Sequence, residues 1–434
     1  MNQSTKSSFL ITLAGVGALL ALGNARADDA ATGGLARLES PDGNLSAHLG
    51  GRLQFDGYVD ENDSGSAIGS GAPGADEASS FRFRRAWITL TGNVYSFDYH
   101  IDYDFVSGAL QRAWFSHGLA PHGTLYIGQD KPWASMDEIA SNADTPFLER
   151  NITSASGIDS AATYTQGLFY DWHGHGMSGS DSLWLGLSAS SLHKESDSAD
   201  TSTQGTAFNG RIAYAPILER NRWLHLGLSF INANADAGST TAGANALVAS
   251  YVYGNHFDGN EKLTLTHYSV SSQGARPHSN TLGAELAGAY GPIYVQAEYD
   301  DAAFHEAGEP DDTVTAYSVT AAYTLTGETR PYKVGDATYG AITPASSFGA
   351  WELALRYDHA RNEGNRGVFT GLALAGAKAT LATLDEVSMV TVGLNFYANA
   401  RVRFMFDYER GTADLGRAGS DSPSTFGARA QIVF

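Results

Sequence analysis

The stretch Phe97-Asp98-Tyr99-His100-Ile101-Asp102-Tyr103-Asp104-Phe105 alternates strictly in polarity. Successive residues of a strand point to opposite faces, so five large apolar or aromatic side chains share one face. Three carboxylates and an imidazole share the other. A helix would scatter both sets, so this period of two is a strand signal. The same alternation recurs to the end of the chain. Leu49, Leu53 and Phe55 oppose His48, Arg52, Gln54 and Asp56, and Ile293, Val295 and Ala297 oppose Tyr294, Gln296 and Glu298. Trp351, Leu353, Leu355 and Tyr357 alternate with Glu352, Arg356 and Asp358, and Val402, Phe404, Phe406 and Tyr408 with Arg401, Arg403, Asp407 and Glu409.

One such strand fits a soluble sandwich equally well. The set does not: the segments are long, and their apolar faces end in Tyr, Phe or Trp. Their connections alternate between tight ones, such as Tyr95 to Phe97, and long polar ones at 60–80, 190–205 and 232–245. That pattern predicts an all-β fold, a transmembrane antiparallel β-barrel with apolar faces toward lipid and polar faces toward a lumen. Closure satisfies every backbone group, as hydrocarbon requires. About sixteen strands are expected, with ambiguity at 246–271, where two segments read as strand or loop. Sixteen strands leave an aqueous channel, whereas eight are filled by side chains.

Composition agrees. The 434 residues hold 49 Gly and no Cys, and Lys and Arg total 27 against 47 Asp and Glu, a formal net charge of −20. A nucleic-acid partner needs a basic surface and is excluded; thiolate metal sites and disulfides are excluded by the absence of Cys. At the N-terminus, Lys6, the apolar run Phe9 to Leu22 and Ala25-Arg26-Ala27 read as a secretory signal peptide over 1–27. Its removal takes Lys6 and Arg26 with it, leaving 407 residues at a net charge of −22. Residues 28–44 then read as a short periplasmic leader and 45–434 as the barrel. The final alternation, Phe426, Ala428, Ala430, Ile432 and Phe434, ends in an aromatic, as terminal strands of bacterial outer-membrane barrels do.

A pore's chemistry lies in the charges at its narrowest point. Two regions qualify. In Phe81-Arg82-Phe83-Arg84-Arg85-Ala86-Trp87 the alternation fails across Arg84-Arg85, predicting a bulge or a loop-to-strand boundary. Inward arginines can make stepping sites for oxyanions, which guanidinium groups bind in a bidentate manner. The competing reading pairs them with carboxylates such as Asp98 or Asp102, as part of the wall. Residues 131–157, KPWASMDEIASNADTPFLERNITSASG, form a long connection rich in apolar anchors. Such a loop can pack inward, and its Lys131, Asp137, Glu138, Asp144, Glu149 and Arg150 are candidate constriction-loop charges. Arg52, Arg401 and Arg403 fall on polar faces and join Arg84 and Arg85 as pore and anion-binding candidates.

Enzyme signatures are missing: no glycine-rich phosphate loop, H-E-x-x-H or G-x-S-x-G occurs. His173 and His175, in Trp172-His-Gly-His-Gly, read as histidines of a turn before they read as metal ligands. No catalytic residue, metal or cofactor is expected.

Gly50-Gly51-Arg52-Leu53-Gln54 with Asp56, Phe83-Arg84-Arg85-Ala86, and Ile127-Gly128-Gln129 leading to Phe147-Leu148-Glu149-Arg150-Asn151 resemble the phosphate-selective porins of the O and P type. So do Tyr323 through Arg330 with Tyr332-Lys333, then Gly349-Ala350-Trp351-Glu352-Leu353, Val392 through Tyr397 and the final Phe434. The resemblance implies a 16-stranded homotrimeric porin of the Gram-negative outer membrane. Its third loop narrows the channel, and inward arginines and a lysine bind phosphate or polyphosphate. Arg52, Arg84 and Arg85 stand at matching places. Two departures matter. Where anion-selective members carry a third-loop lysine this chain has Asp137-Glu138, and the basic fifth-loop stretch is missing, since 232–246 holds no Lys or Arg.

The expected function is therefore passive diffusion of small hydrophilic solutes across the outer membrane, with phosphate or polyphosphate as candidate cargo. The partners are outer-membrane lipid, small ions and further copies of the chain. The alternative is a general or weakly cation-selective porin, because carboxylates facing a narrow lumen favour cations. Two other classes stay open at this stage: a barrel enzyme acting on lipid, and a structural or adhesive barrel.

Overall fold

The computed structural model describes residues 35–61, 77–155, 164–176, 179–192, 205–234, 246–252, 262–269, 277–305, 311–363, 386–414, 420–422 and 424–434. Sixteen strands form one closed antiparallel ring. In chain order they are β1 (Ser46–Glu61), β2 (Glu77–Val94), β3 (Phe97–Asp104), β4 (Ala109–Leu119), β5 (Gly123–Asp130), β6 (Thr165–Gly174), β7 (Ser182–Ser191) and β8 (Thr206–Glu219). They continue as β9 (Arg222–Asn234), β10 (His278–Tyr290), β11 (Ile293–His305), β12 (Asp312–Thr324), β13 (Ala350–Asn362), β14 (Glu386–Tyr397), β15 (Val402–Asp414) and β16 (Ser424–Val433). Each strand pairs with its neighbours in sequence, and β16 closes on β1 through Arg52↔Val433 to Glu61↔Ser424.

The burial pattern is inverted relative to a water-soluble sheet. Outward positions are apolar and open, as with Leu282 at 61% exposed, Leu228 at 61% and Leu355 at 52%. Inward positions are polar and closed, as with Asp56, Asp358 and Asn395, each 0% exposed. The opening stretch obeys the rule: Ile101, Tyr103 and Phe105 are exposed while Asp102 and Asp104 are buried. Apolar outside and polar inside is what a lipid solvent selects. Inside, many charges are paired. Arg429 of β16 donates to both oxygens of Asp56 of β1 at 2.7 and 2.6 Å, an ion pair across the closing seam. Phe434 and Gly51 exchange backbone hydrogen bonds of 2.7 and 2.9 Å at the same seam.

Tight turns join strands at one end, as at 95–96, 220–221 and 291–292. Gly291 sits at φ +54°, a left-handed backbone that favours glycine. Both the start of β1 and the last residue lie at this end, the periplasmic end by the rule that outer-membrane barrels keep their short turns there. Ala36–Glu39, in the expected leader, pairs with the start of β1. The ambiguous region at 246–271 holds two strands, Ala246–Val252 and Lys262–Ser269, which pair with each other outside the ring. The expected signal peptide and most of the long polar connections lie outside the described residues.

Candidate lumen site

The bulge expected at Arg84-Arg85 is present. Gln54 pairs with Arg85 and Phe55 with Phe83, so Arg84 is the extra residue of β2. A bulge turns an additional side chain toward one face, and here Arg84 and Arg85 are both half-buried. Arg84 donates to both carboxylate oxygens of Glu149 at 3.1 and 3.2 Å. Arg85 donates to Gln54 Oε1 at 3.2 Å. Arg52 of β1 reaches Ser141 Oγ at 3.1 Å and Asn142 Oδ1, with its guanidinium 3.8 Å over the Trp87 ring. The anticipated partners Asp98 and Asp102 are therefore not those of these arginines. Asp102 instead sits 2.9 Å from His100 Nε2 and accepts from Thr89. Among the described residues, Arg52 and Arg85 are bonded to neutral partners alone.

The segment from Lys131 to Ala155 lies against the inward polar face of the ring. It contains two single-turn helices, α1 (Met136–Ile139) and α2 (Ile152–Ala155). Ser135 caps α1, its hydroxyl accepting from Glu138 N at 3.1 Å. Wall carboxylates accept the segment's backbone amides: Glu298 from Asp137 N at 2.9 Å, Asp407 from Leu148 N at 2.7 Å and Asp358 from Ile152 N at 3.1 Å. Wall donors take its carbonyls. Arg403 reaches Ala143 O at 3.2 Å and Thr145 O at 2.6 Å, Arg429 reaches Leu148 O at 2.8 Å, and Arg356 reaches Glu149 O at 2.9 Å. A loop removed from bulk water must have its backbone polar groups met in this way. Met136, Phe147 and Ile152 are wholly buried, so the apolar anchors seen in the sequence are used.

The segment's own charges are mostly consumed. Lys131 Nζ donates to Glu138 O and stands 3.1 Å from Glu138 Oε1. Arg150 Nε lies 3.5 Å from Glu138 Oε2, and its Nη2 donates to Ala140 O at 2.7 Å. Burial pushes the Lys131 ammonium down to about 7, Arg150 adding to the fall and Glu138 opposing it. Asp137 accepts from Tyr339 and from Asn151 N, the latter at 3.0 Å. Asp144 is paired with Lys333. The sequence reading that turns Asp137 and Glu138 toward an open lumen differs from this geometry, since each is only 4% exposed. Arg403, expected as an open pore arginine, is likewise buried and holds the segment. Arg401 is half-exposed and shares with Arg52, Arg37, Arg112 and Lys333 a cavity of about 700 Å³ at the short-turn end. Arg84 and Arg85 do not line that cavity. His173, expected in a turn, lies within β6 and pairs with Trp184, and His175 Nδ1 lies 3.3 Å from Asp181 O.

Sequence reasoning missed two features. Arg112 of β4 pairs with Asp130 at 2.8 Å; the break in alternation across Gln111-Arg112, where the pairing register shifts, was a usable signal. The larger omission is 325–349, a connection at the short-turn end. It holds a small hairpin, Tyr332-Lys333 against Thr338-Tyr339, and lies on the inward face. Trp223 Nε1 donates to Arg330 O and Trp184 Nε1 to Gly335 O, both at 2.8 Å, and Arg211 donates to Asp336 O and Ala337 O at 3.1 and 2.8 Å. No periodicity marks this stretch, and its place depends on side chains of three distant strands, β7, β8 and β9.

Residues 69–434 match the family described as phosphate-selective porin O and P. The chain is 27% identical to Porin O of Pseudomonas aeruginosa, an alignment covering 93% of this chain and 91% of that protein. Among solved structures it resembles a trimer form of OmpT from Vibrio cholerae, with a TM-score of 0.52 at 11% identity, covering 90% of this chain and 99% of that one. An anion-selective porin from Comamonas acidovorans gives 0.50 at 12% identity, covering 90% and 100%. The last two likenesses speak to the fold.

Proposed function

The chain belongs to the phosphate-selective porin O and P family and is a porin of the Gram-negative outer membrane; on that premise we propose that 131–155 is its constriction loop and that passing oxyanions contact Arg52 and Arg85. One observation carries this reading. Arg52 and Arg85 keep partial exposure and neutral partners, whereas the carboxylates Asp137 and Glu138 are buried and bonded. A permeant ion responds to charges it can approach, because water beside an exposed group yields to it and a buried pair cancels its own field. Arg84 stands beside Arg85 with Glu149 as its counter-charge, a reserve whose field depends on that bond. The cation-rich cavity at the periplasmic end supports the same direction of selectivity. The protein is a channel, and the substrate class is small hydrophilic anions, phosphate and polyphosphate among them.

The net charge of −20 favours the rival reading of a general or weakly cation-selective porin. Net charge is a sum over the whole surface, however, and selectivity follows the narrowest point. Assembly as a homotrimer is part of the proposal, supported by the trimer form of the Vibrio cholerae relative. The test is single-channel recording in a planar bilayer under a salt gradient, followed by titration of phosphate into chloride. An anion-selective reversal potential with chloride current blocked by phosphate supports the arginine path. Cation selectivity without block overturns it in favour of the rival.

A further inference from the structure

The segments 131–155 and 325–349 belong to opposite ends of the barrel, yet they are bonded to one another at three points. The Tyr339 hydroxyl donates to Asp137 Oδ1. The Lys333 ammonium pairs with the Asp144 carboxylate. Arg330 Nη1 donates to Asp144 O at 2.8 Å. Arg330 is also fixed to the wall, its Nη2 donating to both oxygens of Glu352 at 2.7 and 2.8 Å, and it is 2% exposed. Tyr332, one residue before Lys333, is bonded to His225 Nδ1 at 2.9 Å. The chain from 330 to 339 is thus tied to β7, β8, β9 and β13, and through its own side chains to 131–155.

A connection at a short-turn end costs least when it is two or three residues long, with its polar groups left to water. This one is long, carries buried aromatic side chains and has its carbonyls taken by Trp184, Trp223 and Arg211. Segment 131–155 is held laterally by carboxylates and arginines of β11, β13, β15 and β16, by Asn395 of β14 and by Arg52 of β1 and Arg84 of β2. Those bonds fix its position against one side of the wall. Among the described residues, 325–349 is the short-turn connection that bonds to α1 and Asp144.

We propose that 325–349 is an internal strut that fixes the bore by bracing 131–155 from the periplasmic end, with Tyr339 and Lys333 as positioning residues. This inference rests on the reading of 131–155 as the constriction loop. Tyr339 and Lys333 act through Asp137 and Asp144, and neither needs to touch a solute. A second consequence concerns charge. Asp137 and Asp144 serve as bracing points, so two carboxylates of the loop are withdrawn from the field a permeant ion meets.

The test uses the full-length protein in planar bilayers, with correct folding checked by heat-modifiable migration in detergent gels. Tyr339→Phe removes one hydroxyl and keeps the ring. Lys333→Asp and Asp144→Lys each break the second brace, and the combined swap restores a pair of opposite sign. The readouts are open-channel noise and the size of the largest neutral polymer admitted, both insensitive to net charge. Tyr339→Phe and each single charge variant are expected to raise noise and shift the polymer limit upward, and the swap to lose most of that shift. Ser141→Trp, which adds bulk to 131–155 itself, separates the two readings. If it lowers conductance while the brace variants and the swap match the parent, the strut is overturned and the constriction loop stands. If Ser141→Trp leaves conductance unchanged, the constriction reading fails, and the strut proposal with it.

Discussion

Arg84 and Glu149 meet through two hydrogen bonds of 3.1 and 3.2 Å across 65 residues of chain. The arginine is the extra residue of a strand bulge, and the carboxylate belongs to the segment that packs on the inward wall. Arg85, the next residue, has Gln54 alone among the described residues. Two adjacent arginines of the same composition thus differ in what they offer a passing ion.

The two should respond differently to truncation. Arg85→Ala is expected to weaken phosphate block of chloride current by roughly tenfold, the scale of a lost charge-assisted hydrogen bond of about 1.5 kcal/mol. It should also move the reversal potential toward cations. Arg84→Ala also removes one positive charge but leaves Glu149 to Arg429 and Tyr58, so its phosphate block should stay nearer the parent's. Equal reversal potentials in both variants and the parent would show that these arginines belong to the wall alone.

Lys131 gives a pH signature. Its folded-state pKa of about 7 lies below the ordinary 10.5, so the group is charged below pH 7 and neutral above it. Lys131 is buried against Glu138 and out of reach of a permeant ion, so the readout is the unfolding midpoint between pH 7 and pH 10, and Lys131→Met should lose that part of its pH dependence. The stability sign follows from proton counts. Between pH 7 and 10.5 the unfolded chain holds the proton and the folded chain does not, so this residue makes stability rise with pH across that window. A Lys131→Met variant with the parent's full pH response would exclude the assignment.

Asp407 accepts from Leu148 N at 2.7 Å. Asp407→Leu leaves that amide without a partner, at a local cost of about 1–3 kcal/mol. The expected result is a noisier open state and a larger neutral-polymer limit, with strand content unchanged by circular dichroism. A parent-like polymer limit would mean that the remaining bonds hold the segment unaided.

Gly51 sits where the ring closes. A Cβ there would lie 2.3 Å from Trp87 O and 2.9 Å from the Phe434 ring. Gly51→Val should therefore block closure of β16 on β1, read as loss of the heat-modifiable band and of outer-membrane yield. Normal assembly would require the backbone at Trp87 and the Phe434 ring both to give way at little cost.

The barrel was legible in the sequence because its signal is local. Alternation in 97–105 states which side chains share a face, and lipid outside with water inside fixes which face goes where. The bulge at Arg84 was legible for the same reason, as a break in a period of two. The strut was not. Residues 325–349 carry no periodicity, and their carbonyls find partners in Trp184, Arg211 and Trp223, more than a hundred residues away.

The sequence by itself determined the architecture, the membrane and the family, all of which follow from short-range pattern and composition. The tertiary structure decided what each charge means. Asp56 is neutralised by Arg429, 373 residues away, and Asp137 is bonded to Tyr339, 202 residues away, while Arg52 and Arg85 keep neutral partners. A charge acts on a passing ion only if it is exposed and uncompensated. Those two properties belong to closed rings and packed loops, since pairing across hundreds of residues leaves no mark on the local sequence.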